Sequence, residues 1–310
     1  MKVLFMGTPD FAVSTLNEIV SAGHEVIGVV TQPDKVKGRG GKVGFPEVKE
    51  VALKLNLPVY QPVKVKEPEF IVKVRELKPE VIVVAAFGQI LPKEILDIPP
   101  YGCINVHASL LPKYRGAAPI QAAIINGEKE TGVTIMHMDV GLDTGDIILQ
   151  EKIPISEDET GGSLHDKLAS LGAKLLVRAL EQLKNGTALR IPQDNSQATY
   201  AKMLDKEMGN IDFTKPAQYI ERLIRGLNPW PSAYTKLNGK TLKLWKAGVK
   251  EMASAAKPGE VVEVNKDSIV VMTGKDALVI YELQLEGKKR LPAEEFLRGY
   301  RIENGIVLGC

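Results

Sequence analysis

The first 183 residues alternate short apolar runs with amphipathic helical patterns, and this alternation limits the possible folds most. Runs at 2–6, 25–31, 80–86, 132–138 and 147–153 are typical of strands, whereas helical spacing covers 10–22 and 163–184. Alternating β and α elements predict a mostly parallel sheet with helices on both faces. Ligands of such sheets bind at the carboxyl ends of the strands. We therefore predict an α/β domain over residues 1–183.

The pattern changes in the last third of the chain. Residues 184–205 are polar and punctuated, which is typical of a linker, and a helix is predicted near 216–227. The segments 232–237 and 240–246 flank Asn238-Gly239, a strong signal for a tight β-hairpin. Three further strands are predicted at 260–264, 268–272 and 277–286. Five short strands predict a small closed β-barrel of the oligonucleotide-binding (OB-like) kind over residues 206–310.

Composition excludes several classes of protein. No apolar run approaches the ~20 residues of a membrane span. Two cysteines make no disulfide framework, and the four histidines have no close metal-ligand spacing, so neither a disulfide scaffold nor a metal site is expected. The net charge is only +2. The excess of basic residues lies in the last third, where a solvated face and a nucleic-acid surface explain it equally well. We expect a cytoplasmic monomer.

Asn105 and His107 lie two apart in a predicted short buried strand at 102–107. Side chains two apart on a strand share one face, and burying them without partners costs about 1–3 kcal/mol each. Asp143 lies in a glycine-bounded turn that can offer a carboxylate. A lone strand histidine is more often a core residue than a catalyst. An amide, an imidazole and a carboxylate together can stabilise an oxyanion and move a proton, so we predict that all three are catalytic.

The sequence around these residues resembles the folate-dependent formyltransferases. Their motif Asn-x-His-x-Ser-x-Leu-Pro is present from Asn105 to Pro112, and its second half, Gly-x-Asp-x-Gly, is present from Gly141 to Gly145. The resemblance implies a Rossmann-like formyltransferase domain, although the G-x-G-x-x-G spacing of dinucleotide-binding proteins is missing after the first predicted strand. It further implies 10-formyltetrahydrofolate as the formyl donor and methionine-charged initiator tRNA as the acceptor. A tRNA-binding role for residues 206–310 follows from it.

The resemblance also implies which residues line the folate pocket. One wall follows the catalytic strand, another follows the strand at 80–86, and a third lies opposite. The residues concerned are Ser109, Leu110, Leu111, Pro112, Phe87, Gly88, Gln89, Ile90, Leu91 and Asp139. Lys113, Tyr114 and Arg115 come next in the chain, and they either contact substrate or cap the following helix.

Residues 32–46 interrupt the alternation with a basic, glycine-rich stretch, Q-P-D-K-V-K-G-R-G-G-K-V-G-F-P. This composition predicts a mobile, solvated loop, and it also suits a loop that becomes ordered on a phosphate backbone. The resemblance implies that the loop enters the tRNA acceptor stem and that Arg39 matches the family's key arginine there. The predicted tRNA-binding residues are Lys35, Lys37, Arg39 and Lys42.

Other functions compete with this interpretation. Enzymes that share the motif formylate glycinamide ribonucleotide or an amino-sugar nucleotide, or release the formyl group to water. The first is usually a single-domain enzyme, and the other two are typically fused to large dehydrogenase-like domains that 310 residues cannot hold. A non-enzymatic RNA-binding module would leave Asn105, His107 and Asp143 without a purpose.

Overall fold

A computed structural model of the chain describes residues 1–37 and 42–309. These residues belong to two compact units, each built from three segments. The first unit contains Met1–Pro119, Glu130–Pro154 and His165–Ala201, and the second contains Ile120–Lys129, Ile155–Leu164 and Lys202–Cys310.

The segments from residue 1 to residue 201 contain eleven of the described strands and six of the described α-helices. The strands are β1 (Lys2–Gly7), β2 (Glu25–Val30), β3 (Lys35–Lys37), β4 (Lys42–Gly44), β5 (Val59–Tyr60), β6 (Val81–Ala85), β7 (Cys103–His107), β8 (Arg115–Gly116), β9 (Glu130–His137), β10 (Ile147–Pro154) and β11 (Tyr200–Ala201). The helices are α1 (Phe11–Ser21), α2 (Glu47–Lys54), α3 (Pro68–Leu77), α4 (Lys93–Leu96), α5 (Pro119–Ile125) and α6 (Gly161–Lys184).

Seven of these strands form one sheet in the order β10-β9-β7-β6-β1-β2-β5. The strands from β7 to β5 are parallel, and β9 and β10 add an antiparallel edge. The central strand β6 has the sequence V-I-V-V-A, and all five residues are buried, as expected for a strand covered on both faces. The predicted mostly parallel α/β sheet is confirmed. Its strand order places the ends of β6 and β7 side by side.

The basic stretch at 32–46 contains regular structure that we did not expect. Its segments β3 and β4 pair as antiparallel strands, with Lys35 opposite Gly44. Their K-V-K and K-V-G sequences lie close together in the chain, so pairing them costs little loop-closure entropy. The prediction of a mobile loop overlooked this pairing because glycines and lysines dominate the stretch.

The second unit is built around an antiparallel sheet. The helices and strands after residue 201 are α7 (Ala217–Gly226), β12 (Ala233–Leu237), β13 (Lys240–Lys250), β14 (Val261–Val264), β15 (Ile269–Met272), β16 (Ala277–Leu285), β17 (Leu291–Pro292) and α8 (Ala293–Gly299). The strand order is β12-β13-β16-β15-β14, and β17 pairs with β16. The predicted hairpin is confirmed, because Asn238 and Gly239 have φ values of 51° and 75°, as a type I′ turn requires.

The chain end connects the two outer strands of this sheet. The Val261 N–H donates to Ile306 O (2.8 Å), and the Gly309 N–H donates to Lys236 O (2.9 Å). Residues 306–309 thus bridge from β14 to β12. The described strands at the two ends of the sheet, β12 and β14, do not pair directly with each other. The structure shows an antiparallel sheet here, and the closed OB-like barrel stays a prediction.

The limits of the two compact units differ in detail from the domain boundaries predicted at residues 183 and 206. The predicted domain boundaries stay a prediction. Segment 155–164 belongs to the second unit, where Arg225 Nη1 donates to Glu159 O (2.8 Å) and the Gly162 N–H donates to Asn228 O (2.9 Å). Residues up to Ala201, expected to be linker, belong to the first unit, because β11 pairs with β8. No helix in the described ranges is long and apolar enough to cross a membrane.

Candidate active site

The carboxyl end of β7 presents Asn105 and His107 on one face of the strand. Asn105 lies between Val84 of β6 and Met136 of β9, and His107 lies opposite Thr134. His107 is 6% exposed, whereas Asn105 is partly accessible. The Asn105 side chain forms no hydrogen bond with any residue in the described part of the chain. Its amide is therefore available to a ligand.

The backbone of Tyr114 fixes the protonation pattern of His107. His107 Nε2 lies 3.0 Å from Tyr114 O, and a carbonyl only accepts, so Nε2 must carry a hydrogen. The contact with Tyr114 O leaves Nδ1 for other partners. Nδ1 lies 3.7 Å from Asp143 Oδ2, which is beyond hydrogen-bond length but within ion-pair range when the imidazole is protonated.

Asp143 is held in a left-handed backbone conformation, with φ of 52°. Its Oδ2 accepts a hydrogen bond from the Gly116 N–H (2.8 Å), and its side chain is 15% exposed. Oδ1 accepts none from the residues that the structure describes. One carboxylate oxygen therefore sets the position of the group, and the other is free for proton transfer.

The predicted pocket residues after β7 are partly enclosed. Ser109 is fully buried, and its hydroxyl donates to Lys113 O (2.6 Å). Leu111 is 3% exposed and packs with Met136 and Ile147. Leu110 and Pro112 keep partial exposure. Ser109 and Leu111 thus shape this turn, and its accessible apolar surface comes from the other two.

Thr134 ties this turn to β9. Its hydroxyl donates to Ser109 O (2.6 Å) and accepts from the Leu111 N–H (3.1 Å). Gln150 Nε2 donates to both Thr134 Oγ1 (2.8 Å) and Leu111 O (2.9 Å). The turn therefore has a fixed backbone before any ligand binds. Thr134 and Gln150 were not predicted as site residues, because they lie on strands distant in sequence from this turn.

The predicted pocket residues after β6 also include both buried and exposed side chains. Phe87 and Leu91 are each 2% exposed and belong to the core, whereas Ile90 is 81% exposed. Gly88 is exposed, with φ of 85°. Gln89 accepts at Oε1 from the Val65 N–H (2.9 Å) and donates from Nε2 to Val63 O (3.3 Å). Only Gly88 and Ile90 are freely accessible in this wall.

Asp139 organises the turn that leads to Asp143. Its Oδ1 accepts from the Gly141 N–H (2.8 Å) and the Thr144 hydroxyl (2.5 Å). Asp139 is exposed, and so are Val140 and Leu142. Its carboxylate is therefore committed to the turn, and the apolar side chains beside it are the accessible surface.

Tyr114 and Arg115 both make contacts within the protein. Tyr114 supplies the carbonyl that orients His107. Arg115 is 2% exposed, and its Nη2 donates to Gln193 Oε1 (2.8 Å) and Asn195 Oδ1 (2.7 Å). The guanidinium lies inside the first unit. Nothing local in the sequence distinguishes this arginine from an exposed one.

Of the predicted tRNA-binding residues, Lys35 begins β3 and is exposed. Lys37 and Lys42 are opposite each other in the β3–β4 pair. Arg39 lies outside the described residues.

His137, at the end of β9, is a second buried imidazole, beside the turn that contains Asp143. Burial lowers its pKa to about 4 from the ordinary 6.5, and the Arg190 charge adds to the effect. Unfolded chains therefore bind a proton at His137 below about pH 6.5, and folded chains do so only near pH 4, so stability falls as the pH drops through this interval.

We expect the wild-type chain to lose about 1–2 kcal/mol of unfolding free energy through His137 between about pH 7 and pH 5. Urea unfolding of His137→Gln at both pH values should show a correspondingly smaller loss. Equal losses in both proteins would contradict the assignment.

Comparison with known proteins accounts for both parts of the chain. The formyl transferase family model matches residues 1–180, and the model of the formyl transferase C-terminal domain matches residues 203–301. The chain belongs to the formyltransferase family. It is 56% identical to a methionyl-tRNA formyltransferase of Agathobacter rectalis, with 98% of each chain covered. It is 53% identical to a methionyl-tRNA formyltransferase of Clostridioides difficile over the whole of both chains.

A solved structure supports the same fold for the family. An N-formyltransferase from Helicobacter canadensis, in complex with folinic acid and dTDP-3-aminofucose, superimposes with a TM-score of 0.68 at 22% identity. The match covers 90% of this chain and 98% of that chain. At this identity the likeness establishes the shared architecture alone.

Proposed function

We propose that this protein transfers the formyl group of 10-formyltetrahydrofolate to the α-amino group of methionyl initiator tRNA, giving N-formylmethionyl-tRNA and tetrahydrofolate for translation initiation. The observation that carries the proposal is the convergence of His107 and Asp143, 3.7 Å apart, beside the free amide of Asn105. The names of the relatives that match the full chain support methionyl-tRNA as the acceptor. The protein would act in the cytoplasm as a monomer and without a metal.

The reaction forms one C–N bond and breaks another. The acceptor amine attacks the formyl carbon, and the carbonyl oxygen takes the negative charge. The bond to the folate nitrogen then breaks, and this nitrogen receives the proton that the amine loses. No covalent bond to the protein is needed. Burial raises the pKa of the nearby Cys103 thiol to about 12, so the thiol is not a competing nucleophile.

Asn105 and His107 stabilise the oxyanion. The Asn105 amide donates one hydrogen bond, and protonated His107 donates another from Nδ1, because Nε2 is committed to Tyr114 O. Such a donor typically contributes about 2.7–4 kcal/mol to the transition state. The positive charge on His107 strengthens its hydrogen bond to the oxyanion.

Asp143 pairs with protonated His107 and moves the proton. Its Oδ2 lies 3.7 Å from His107 Nδ1, within ion-pair range. The oxygen that Gly116 leaves free, Oδ1, accepts the proton of the attacking amine and passes it to the leaving folate nitrogen, directly or through water.

We propose that the folate lies against the turns after β6 and β7. Gly88 and Ile90 offer accessible surface on one side, and Leu110 and Pro112 offer it on the other. The buried members of the predicted set, Ser109, Leu111, Phe87 and Leu91, would act by shaping these turns. The antiparallel unit would supply further contacts to tRNA.

Arg39 provides a test of the tRNA assignment. We expect Arg39→Ala to reduce initiator tRNA formylation about tenfold or more, because a forked phosphate contact is lost, while folate binding stays unchanged. Arg39→Lys should restore activity only in part, because lysine keeps the charge without the fork. Rates measured with charged tRNA at several salt concentrations decide this. A rate for Arg39→Ala equal to wild type would reject a role in tRNA binding.

The acceptor is tested by direct competition. Purified full-length protein with 10-formyltetrahydrofolate is assayed against methionyl initiator tRNA, methionyl elongator tRNA, glycinamide ribonucleotide, an amino-sugar nucleotide and water alone. We expect efficient transfer only to initiator tRNA. Preferred formylation of a small amine, or formate release without an acceptor, would overturn the proposed function.

A further inference from the structure

Gln193 uses its whole side-chain amide to connect the Asp143 turn with a buried arginine. Its Nε2 donates to Asp143 O and to Gly145 O, both at 2.8 Å. Its Oε1 accepts from Arg115 Nε (3.2 Å) and Nη2 (2.8 Å). Gln193 lies in the stretch that the sequence predicts as linker, between α6 and β11. Neither the motif nor the proposed chemistry includes it.

The turn that Gln193 contacts needs an external constraint. Asp143 has φ of 52°, a conformation that non-glycine residues adopt rarely. The two carbonyls that Gln193 binds lie on either side of Thr144, so one amide group spans the turn. A shift of the turn would break both hydrogen bonds together.

The other end of the connection is rigid. Arg115 is 2% exposed, and its planar guanidinium also donates to Asn195 Oδ1 (2.7 Å). It forms no ion pair with a carboxylate among the described residues. A buried guanidinium with several hydrogen bonds has one orientation. Gln193 Oε1 is therefore held in place, and the Nε2 end is fixed with it.

Asp143 is consequently held at two points, by the consecutive residues Arg115 and Gly116. Arg115 binds Gln193, whose amide donates to the Asp143 carbonyl. The Gly116 N–H donates directly to the Asp143 carboxylate (2.8 Å). The first contact sets the backbone of residue 143, and the second sets the direction of the side chain.

We infer that Gln193 is a positioning residue that holds Asp143 in the place, 3.7 Å from His107, from which its carboxylate takes up the proton of the attacking amine. The inference rests on the proposed function, because it assigns Gln193 an effect only through Asp143. Gln193 does not touch the reacting groups, so its loss should slow the chemical step and leave binding of both substrates nearly unchanged.

The decisive variant is Gln193→Glu. A glutamate keeps the size of the side chain and binds Arg115 as an ion pair, so the buried arginine stays satisfied. It cannot donate to Asp143 O or Gly145 O, and its charge repels both carbonyls. We expect kcat to fall about 10- to 100-fold, with KM for charged tRNA and for the folate donor within about threefold of wild type. A purely structural role for the Arg115 contact predicts no change in kcat.

Two further proteins complete the test. Gln197→Glu makes the same chemical change four residues later and should keep normal kcat. The Gln197 side chain is exposed and, among the described residues, bonds only to Asp194. Gln193→Asn keeps the amide but is too short to reach both partners. It should lower kcat in the same direction, and it replaces Gln193→Glu if the latter melts early.

A double-mutant cycle with Asp143→Ala separates the possible outcomes. If Gln193 acts through Asp143, Gln193→Glu should reduce kcat no further once Asp143 is alanine. Multiplicative losses, or a normal kcat for Gln193→Glu, would overturn the inference while leaving the proposed function intact. A wild-type protein that formylates no tRNA would instead reject the proposed function, and an Asp143→Ala protein as active as wild type would reject the role of Asp143 and the inference with it.

Discussion

Asp143→Ala and Asn105→Ala should each lower turnover about 10²-fold or more, with tRNA binding nearly intact. Asn105→Ala removes the proposed oxyanion donor, whose amide has no competing partner in the described structure. Asp143→Ala removes both the proposed proton carrier and the carboxylate that lies 3.7 Å from His107 Nδ1. Turnover is measured with saturating charged tRNA and formyl donor, and tRNA affinity by filter binding.

Asp143→Asn sharpens this test. An asparagine can still accept from the Gly116 N–H, but it has no negative charge and cannot carry the proton. Its turnover should match that of Asp143→Ala. The control is Asp97→Ala, which removes an exposed carboxylate paired with Lys93, and it should keep full activity. Near-normal turnover of Asp143→Asn would exclude the proposed proton transfer.

Gly145→Ala is expected to reduce turnover about 10²-fold or more and to lower the melting temperature by several degrees. A Cβ at Gly145 would lie 1.9 Å from His137 O and 2.9 Å from His137 C. Both atoms belong to the backbone at the end of β9, so no side-chain rotation relieves the clash. The turn must move away from β9, and this movement carries Asp143 out of position and disturbs the Gly145 O contact with Gln193.

Gly299→Ala is the matched control for this prediction. A Cβ there would meet nothing within 4 Å, and the same Gly-to-Ala change should leave turnover and melting temperature close to wild type. Thermal unfolding and steady-state kinetics on both variants give the comparison. Normal kinetics for Gly145→Ala would mean that the turn position does not control catalysis.

Local patterns predicted a large share of the fold. The apolar runs at 2–6 and 80–86 became β1 and β6, and the helical spacing near 163–184 became α6, because burial on both faces and amphipathic periodicity are properties of a short window. Asn238-Gly239 specified its hairpin in the same way, since few residues adopt positive φ at both positions. The pairing of β3 with β4 was missed, because a basic, glycine-rich composition resembles that of a loop.

The sequence by itself therefore determined the two-part architecture, the shared strand face of Asn105 and His107, and the motif that identifies the family. Only the tertiary structure decided how these groups are set for chemistry. The Tyr114 carbonyl engages Nε2 of His107, and Gln193 contacts Asp143 from fifty residues away in the chain. Strand periodicity and turn chemistry depend on a few consecutive residues, so they can be predicted from a short window of the sequence. Hydrogen bonds between distant segments depend on where the whole chain brings them, so they exist only once it has folded.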